Sequence, residues 1–169
     1  MVRFHLFGSC DEVICRIKEG HFLAKVLRTG NMSTCIGCFS CMMVCAGINK
    51  QDHSISKSCI KIRTYGGLSG RFVETVCHAC REPACAEACP SNALRLRVGG
   101  GVLLKKEQCI GCRRCVNACM VKAVDFDEDL KYPIICSHCG VCSQFCPHEC
   151  LSVEEVPDTI KGANVGVDK

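Results

Sequence analysis

Four groups of cysteines with nearly one spacing run through this 169-residue chain. Cys35, Cys38, Cys41 and Cys45 read C-x2-C-x2-C-x3-C. Cys77, Cys80, Cys85 and Cys89 read C-x2-C-x4-C-x3-C, followed by Pro90. Cys109, Cys112, Cys115 and Cys119 return to the first spacing, as do Cys136, Cys139, Cys142 and Cys146, followed by Pro147. The groups use sixteen of the 20 cysteines. A repeat this regular constrains the fold more than any local propensity.

The spacing has a chemical reason. Three thiolates two residues apart sit on one tight loop and can wrap a corner of an iron–sulfur cube. Gly37, Gly111 and Gly140 follow early cysteines and ease the curl. The fourth cysteine is expected on a short helix leaving the loop, and a proline after it turns the chain away. Structural zinc also uses four cysteines, but as two separated C-x2-C pairs that tie two loops together. Crowding four into one short segment, four times over, favours iron–sulfur clusters over a zinc-structured scaffold. Disulfides are disfavoured for a chain read as cytoplasmic. That reading rests on an N-terminus (MVRFHLFGSCDEV) without a secretory signal and on the shortness of even the longest apolar runs, such as Cys41 to Ala46, far below a membrane span.

The segments between the groups follow one plan: strand, cysteine loop, short helix, strand. His21 to Arg28 leads into the first motif. Cys59 to Tyr65 and Arg71 to Val76 form a hairpin around Gly66 to Gly70. Leu94 to Val98 and Val102 to Lys106 form another around Gly99-Gly100-Gly101, and Ala123 to Phe126 with Tyr132 to Ile135 a third. From about Pro157 the chain reads as a tail or docking arm. Aromatics are 5% and there is no Trp, so few large side chains fill an interior, and something else is expected to occupy it.

The net charge is +4, with Lys and Arg scattered (Arg95, Arg97, Lys105, Lys106, Arg113, Arg114) as on a solvated surface, and no nucleic-acid motif accompanies them. Arg113 and Arg114, inside a cysteine loop, are candidates for tuning or docking. No dinucleotide fingerprint, phosphate loop or catalytic set is present. His78, His138 and His148 lie near cysteine loops as hydrogen-bonding groups or partner contacts rather than ligands. Cys10, Cys15, Cys59 and Cys150 remain, read as small buried hydrophobes. His5, Cys10, Cys15 and His21 are a looser zinc alternative.

The stretches CIGCFSCMMVC, CHACREPACAEACP, CIGCRRCVNAC and CSHCGVCSQFCPH resemble the four-cluster, ferredoxin-like electron-transfer subunits of complex oxidoreductases, over roughly residues 20 to 155. The C-x2-C-x4-C of the second motif, with Pro83, is typical of that group. The compact fourth motif, ending in CPHEC, is most similar to the small subunits of tungsten enzymes of the aldehyde ferredoxin oxidoreductase and class II benzoyl-CoA reductase type.

The resemblance implies an α+β fold of two ferredoxin-like modules, built from short antiparallel strands and short helices around four [4Fe-4S] clusters. The inner module would span 59–129. The outer would combine 35–58 with 130–156, with N-terminal strands in 1–34 and a tail in 157–169. The resemblance also implies that fourth cysteines cross over. One cluster takes Cys77, Cys80, Cys85 and Cys119; its neighbour takes Cys109, Cys112, Cys115 and Cys89. A third takes Cys35, Cys38, Cys41 and Cys146, and the last Cys136, Cys139, Cys142 and Cys45. Ala46 and Met120 replace the proline that often follows the fourth cysteine, so softer exits are expected there.

The implied role is an electron relay in anaerobic metabolism, not catalytic by itself. It would serve a larger tungsten- or molybdenum-pterin catalytic subunit, with a further redox subunit or ferredoxin beyond it. A free polyferredoxin, or a subunit of a hydrogenase or carbon monoxide dehydrogenase system, is the alternative.

Overall fold

A computed structural model describes residues 15–18, 21–50, 54–66 and 70–157. The elements are β1 (Cys15–Lys18), β2 (His21–Thr29), α1 (Ser40–Lys50), β3 (Lys61–Thr64), β4 (Phe72–Thr75), α2 (Ala84–Glu87), β5 (Leu94–Leu96), β6 (Val102–Leu104), α3 (Arg114–Ala118), β7 (Asp125–Asp127), β8 (Tyr132–Ile134), α4 (Val141–Gln144) and β9 (Leu151–Pro157). Short antiparallel strands and short helices make this an α+β fold, as the repeat predicts.

Strand pairing arranges these elements in a cyclic order. β3 leaves the first cysteine motif and pairs with β4, which leads into the second. β5 and β6 join the second motif to the third, and β7 and β8 the third to the fourth. The exit strand of the fourth motif, β9, pairs with β2, the lead-in to the first, from Leu23↔Pro157 to Thr29↔Leu151. This last pairing closes the ring across more than a hundred residues of sequence. It also brings the first and fourth motifs together, so that α1 packs on α4 while α2 packs on α3. β1 adds a third strand on the other edge of β2.

The interior is partitioned. One apolar cluster joins Leu27, Met42, Ile60, Ile62, Val76, Ile134 and Leu151 to Cys41, Cys45, Cys136 and Cys142. A smaller one joins Leu94, Val102 and Val124 to Cys115, flanked by Cys85, Cys89 and Cys119. Cysteines thus replace the missing large side chains at the centre of both clusters. Cys59 and Cys150, outside the repeat, are buried as well.

The helices depart from expectation in one respect. α2, α3 and α4 end before Cys89, Cys119 and Cys146, so those fourth cysteines lie just beyond the helix rather than on it. Met120 makes no difference: α3 stops at Ala118, and Cys119 is already extended. Only at Ala46 does the missing proline matter, because α1 runs on to Lys50 and carries both Cys41 and Cys45.

Candidate cofactor sites

Each cysteine loop is curled by left-handed residues flanking its second cysteine. Gly37 and Phe39 flank Cys38, Gly111 and Arg113 flank Cys112, and His138 and Gly140 flank Cys139, all with positive φ; Ala79 precedes Cys80 in the same state. Alternating hands along the backbone point successive N–H groups into one concavity, the arrangement that cradles anionic clusters. For Phe39, Ala79, Arg113 and His138 this costs about 1 kcal/mol or more each, strain that other interactions must outweigh. Gly140 could not be replaced cheaply: at φ +78° its Cβ would also overlap the Val153 side chain.

A second left-handed residue follows three positions after Cys89, Cys119 and Cys146, at Asn92, Lys122 and Glu149. It turns the next amide back onto the sulfur. Ala123 N–H donates to Cys119 Sγ at 3.3 Å, and Cys150 N–H to Cys146 Sγ at 3.2 Å. Cys45, on its continuing helix, takes its backbone donor from further along the chain, Cys59 N–H at 3.3 Å, and a side-chain donor from its own helix, Asn49 Nδ2 at 3.4 Å. His138 N–H donates to Cys136 Sγ at 3.4 Å.

Twelve of the sixteen motif cysteines gather in quartets around three cavities. Cys45 of the first motif lines a cavity with Cys136, Cys139 and Cys142 of the fourth. Cys146 of the fourth lines another with Cys35, Cys38 and Cys41 of the first, joined by Cys150. Cys89 of the second lines a third cavity with Cys109, Cys112 and Cys115 of the third. The three are nearly equal in size, about 320, 330 and 310 Å³ including their open mouths. The remaining four are linked by electrostatics alone: Cys80 and Cys119 act on Cys77, and Cys77 and Cys119 on Cys85.

Electrostatics within these sets fits a cluster. Burial, together with neighbouring thiols, pushes Cys41 and Cys85 up to about 11 and Cys142 up to about 12, and Cys136 well above the usual thiol range. Such thiols become thiolates only when a bound cation compensates the charge. Cys45 runs the other way, to about 6, because Cys59 donates from both its side chain and its backbone. Soft sulfur donors, apolar walls and inward N–H groups suit an iron–sulfur cube and not a hard cation. Among the described residues no three His, Cys, Asp or Glu side chains converge tightly enough to hold a single metal ion.

The other candidates have settled differently. Arg113 lies over the Phe126 ring at 4.4 Å and pairs with Glu128, an exposed arrangement that supports the loop from outside. His78 and His148 are exposed, whereas His138 is fully buried. The reading of scattered cations as solvated surface fails at Arg97, which is 2% exposed. Its hairpin turn is tucked inward, Gly99 packing so closely on Ala24 that a Cβ would overlap it. Of the loose zinc alternative, His5 and Cys10 lie outside the described residues, and Cys15 and His21 are described only by their strands.

No protein-family model matches the chain. It is 36% identical over 89 residues to a subunit of the tetrathionate reductase of Archaeoglobus fulgidus, covering 53% of this chain and 42% of that protein. It is 26% identical over 151 residues to a subunit of the anaerobic dimethyl sulfoxide reductase of Escherichia coli, covering 76% of this chain and 73% of that protein. It is also 27% identical over 100 residues to the arsenate respiratory reductase iron–sulfur subunit of a Shewanella species, 43% of whose length it spans. The chain is similar to the iron–sulfur subunits of reductase complexes. It spans less than half the length of the tetrathionate and arsenate relatives. Among the described residues no helix is long and apolar enough to cross a membrane.

Proposed function

We propose that the chain is an electron-transfer subunit holding four [4Fe-4S] clusters, with Cys77, Cys80, Cys85, Cys119; Cys109, Cys112, Cys115, Cys89; Cys35, Cys38, Cys41, Cys146; and Cys136, Cys139, Cys142, Cys45 as the ligand sets. The observation that carries this reading is the gathering of motif cysteines around three cavities of nearly one size, each taking its fourth cysteine from another motif. The clusters supply one-electron redox chemistry. The chain supplies what makes that useful. Its thiols fix four centres in one small body, its amides at Cys45, Cys119, Cys136 and Cys146 offset added negative charge, and its apolar walls exclude water.

The two-module organisation follows: motifs two and three around α2 and α3, motifs one and four around α1 and α4. Each oxidised cluster carries roughly −2, so the loaded chain would change from +4 to about −4.

The partner in this reading is a larger molybdenum- or tungsten-pterin catalytic subunit, in the cytoplasm of an anaerobic metabolism. The names of the similar reductase subunits support the class of complex. The tungsten choice rests on the compact fourth motif. Apolar side chains beside the cysteines support docking: Met120 is 90% exposed, and Ile36, Ile110 and Phe145 are also exposed. Tagged protein purified anaerobically from its native cells should bring down a pterin-containing subunit larger than itself. Isolation alone, with exchange of electrons to many unrelated acceptors, would instead mean a free polyferredoxin.

A further inference from the structure

Two buried polar groups meet where the halves of the molecule adjoin, and neither the repeat nor the ligand sets explain them. Arg97 follows β5. Its guanidinium donates to the Lys25 carbonyl on β2 and to the Gly100 carbonyl at 3.3 Å. A guanidinium stays charged under all conditions a protein meets, and its charge reaches further in a buried setting than in water. His138, in the fourth motif's loop, accepts Leu27 N–H on Nδ1 at 3.2 Å. That bond places the ring proton on Nε2. Nε2 is buried with no hydrogen-bond partner among the described residues, a condition that calls for a specific acceptor.

Both groups lie beside the second motif. A Cβ built on Gly101 would sit 3.3 Å from His138 Nε2 and 3.5 Å from Ala79 Cα, so only Gly101 separates the imidazole from the Cys77–Cys80 loop. Gly101 N–H is itself bonded to the Cys80 carbonyl at 2.9 Å. The Arg97 charge acts on both Cys77 and His138. Cys77 in turn acts on Cys136, which places the two cysteine sets side by side across this junction.

We propose that Arg97 and His138 form a buried positive junction that raises the reduction potential of the cluster held by Cys77, Cys80, Cys85 and Cys119, the guanidinium by its charge and the imidazole by donating Nε2–H toward that cluster. The inference rests on the four-cluster reading. Reduction adds one electron and no proton, so a fixed cation and a neutral N–H donor both favour the more negative form. Of the four clusters, this one would then hold an electron most readily relative to the same chain without the junction.

The test uses the full chain prepared anaerobically, with iron and sulfide counted and each cluster titrated by electron paramagnetic resonance at poised potentials. The cluster in question is the one whose signal Cys119→Ser alters. Arg97→Gln should lower that cluster's reduction equilibrium constant at least tenfold, about 59 mV for one electron, with a smaller shift at the adjoining cluster of Cys136, Cys139, Cys142 and Cys45, and leave the other two within threefold. Arg97→Lys should keep most of the wild-type value. His138→Gln should move the same cluster in the same direction by a smaller factor. A fully loaded Arg97→Gln protein with four unmoved potentials, or with all four moved equally, overturns the proposal. If Arg97→Gln fails to load, His138→Gln decides: a selective drop at this cluster supports the junction, and none overturns it. An unaltered chain that takes up no iron ends the four-cluster reading itself, and the junction with it.

Discussion

Replacing Cys45 tests the crossing of ligands between motifs. Its sulfur lines a cavity with Cys136, Cys139 and Cys142, and it reaches them across about 90 residues of sequence, a loop whose closure costs about 4 kcal/mol of chain entropy. A second link spans the same loop in the other direction, from Cys146 to Cys35, Cys38 and Cys41. Cys45→Ala should therefore remove one cluster, taking iron from about 16 to about 12 per chain, while the surviving link keeps the loop closed. Pairing with a second substitution identifies which cluster was lost, because defects at one site do not add. Cys45→Ala with Cys139→Ala should still hold about 12 iron, and Cys45→Ala with Cys38→Ala about 8. Removing both links, with Cys45→Ala, Cys146→Ala and Cys150→Ala together because Cys150 lines the second cavity, should cost a further 4 kcal/mol or so in denaturant. The assays are iron and acid-labile sulfide on anaerobic protein, and unfolding followed by visible absorbance. The reverse pattern, with the Cys38 pair at about 12 and the Cys139 pair at about 8, would mean self-contained motifs and refute the crossing.

Other outcomes follow from single contacts. Asp127 is buried; its Oδ1 accepts the Asp129 and Leu130 amides at 3.1 and 3.0 Å and lies 3.6 Å from Lys57 Nζ, so Asp127→Ala should destabilise the loaded chain by about 2 kcal/mol in urea unfolding. Gly140→Ala should cost about 2 kcal/mol or more, from the left-handed backbone plus the overlap with Val153, read as faster cluster bleaching on warming. Thiols raised to about 11 or 12, as at Cys41, Cys85 and Cys142, are protonated near neutrality and must lose those protons on cluster assembly. Cluster retention against a chelator should consequently rise with pH from 6 to 9, with proton release seen as buffer-dependent heat; retention independent of pH would contradict it.

Much of this architecture is legible in the cysteine spacing, because four thiols in one short segment leave few ways to satisfy them. The hairpins at 61–75, 94–104 and 125–134 were within reach of sequence reasoning, since their partners are neighbours joined by turn residues. The pairing of β2 with β9 was not: hairpin logic cannot connect Leu23 to Pro157, although the repeat unit itself calls for a closing strand after the fourth motif. Arg97 was equally hidden. In the alternation Leu94-Arg95-Leu96-Arg97 nothing distinguishes the two arginines. Arg97 is buried only because the glycine turn beyond it folds inward onto β2, a tertiary event. His138 showed its nearness to a cysteine loop in the sequence, but its bond to Leu27 N–H depends on the ring closure that β9 makes.

Iron and acid-labile sulfide, counted per chain on protein purified without oxygen, test the central claim most directly. Four cubes require about 16 of each, with a brown colour that bleaches on reduction. About 12 iron with one zinc would show that one cysteine set is not a cluster site, and a colourless chain carrying zinc alone would contradict the electron-transfer account entirely.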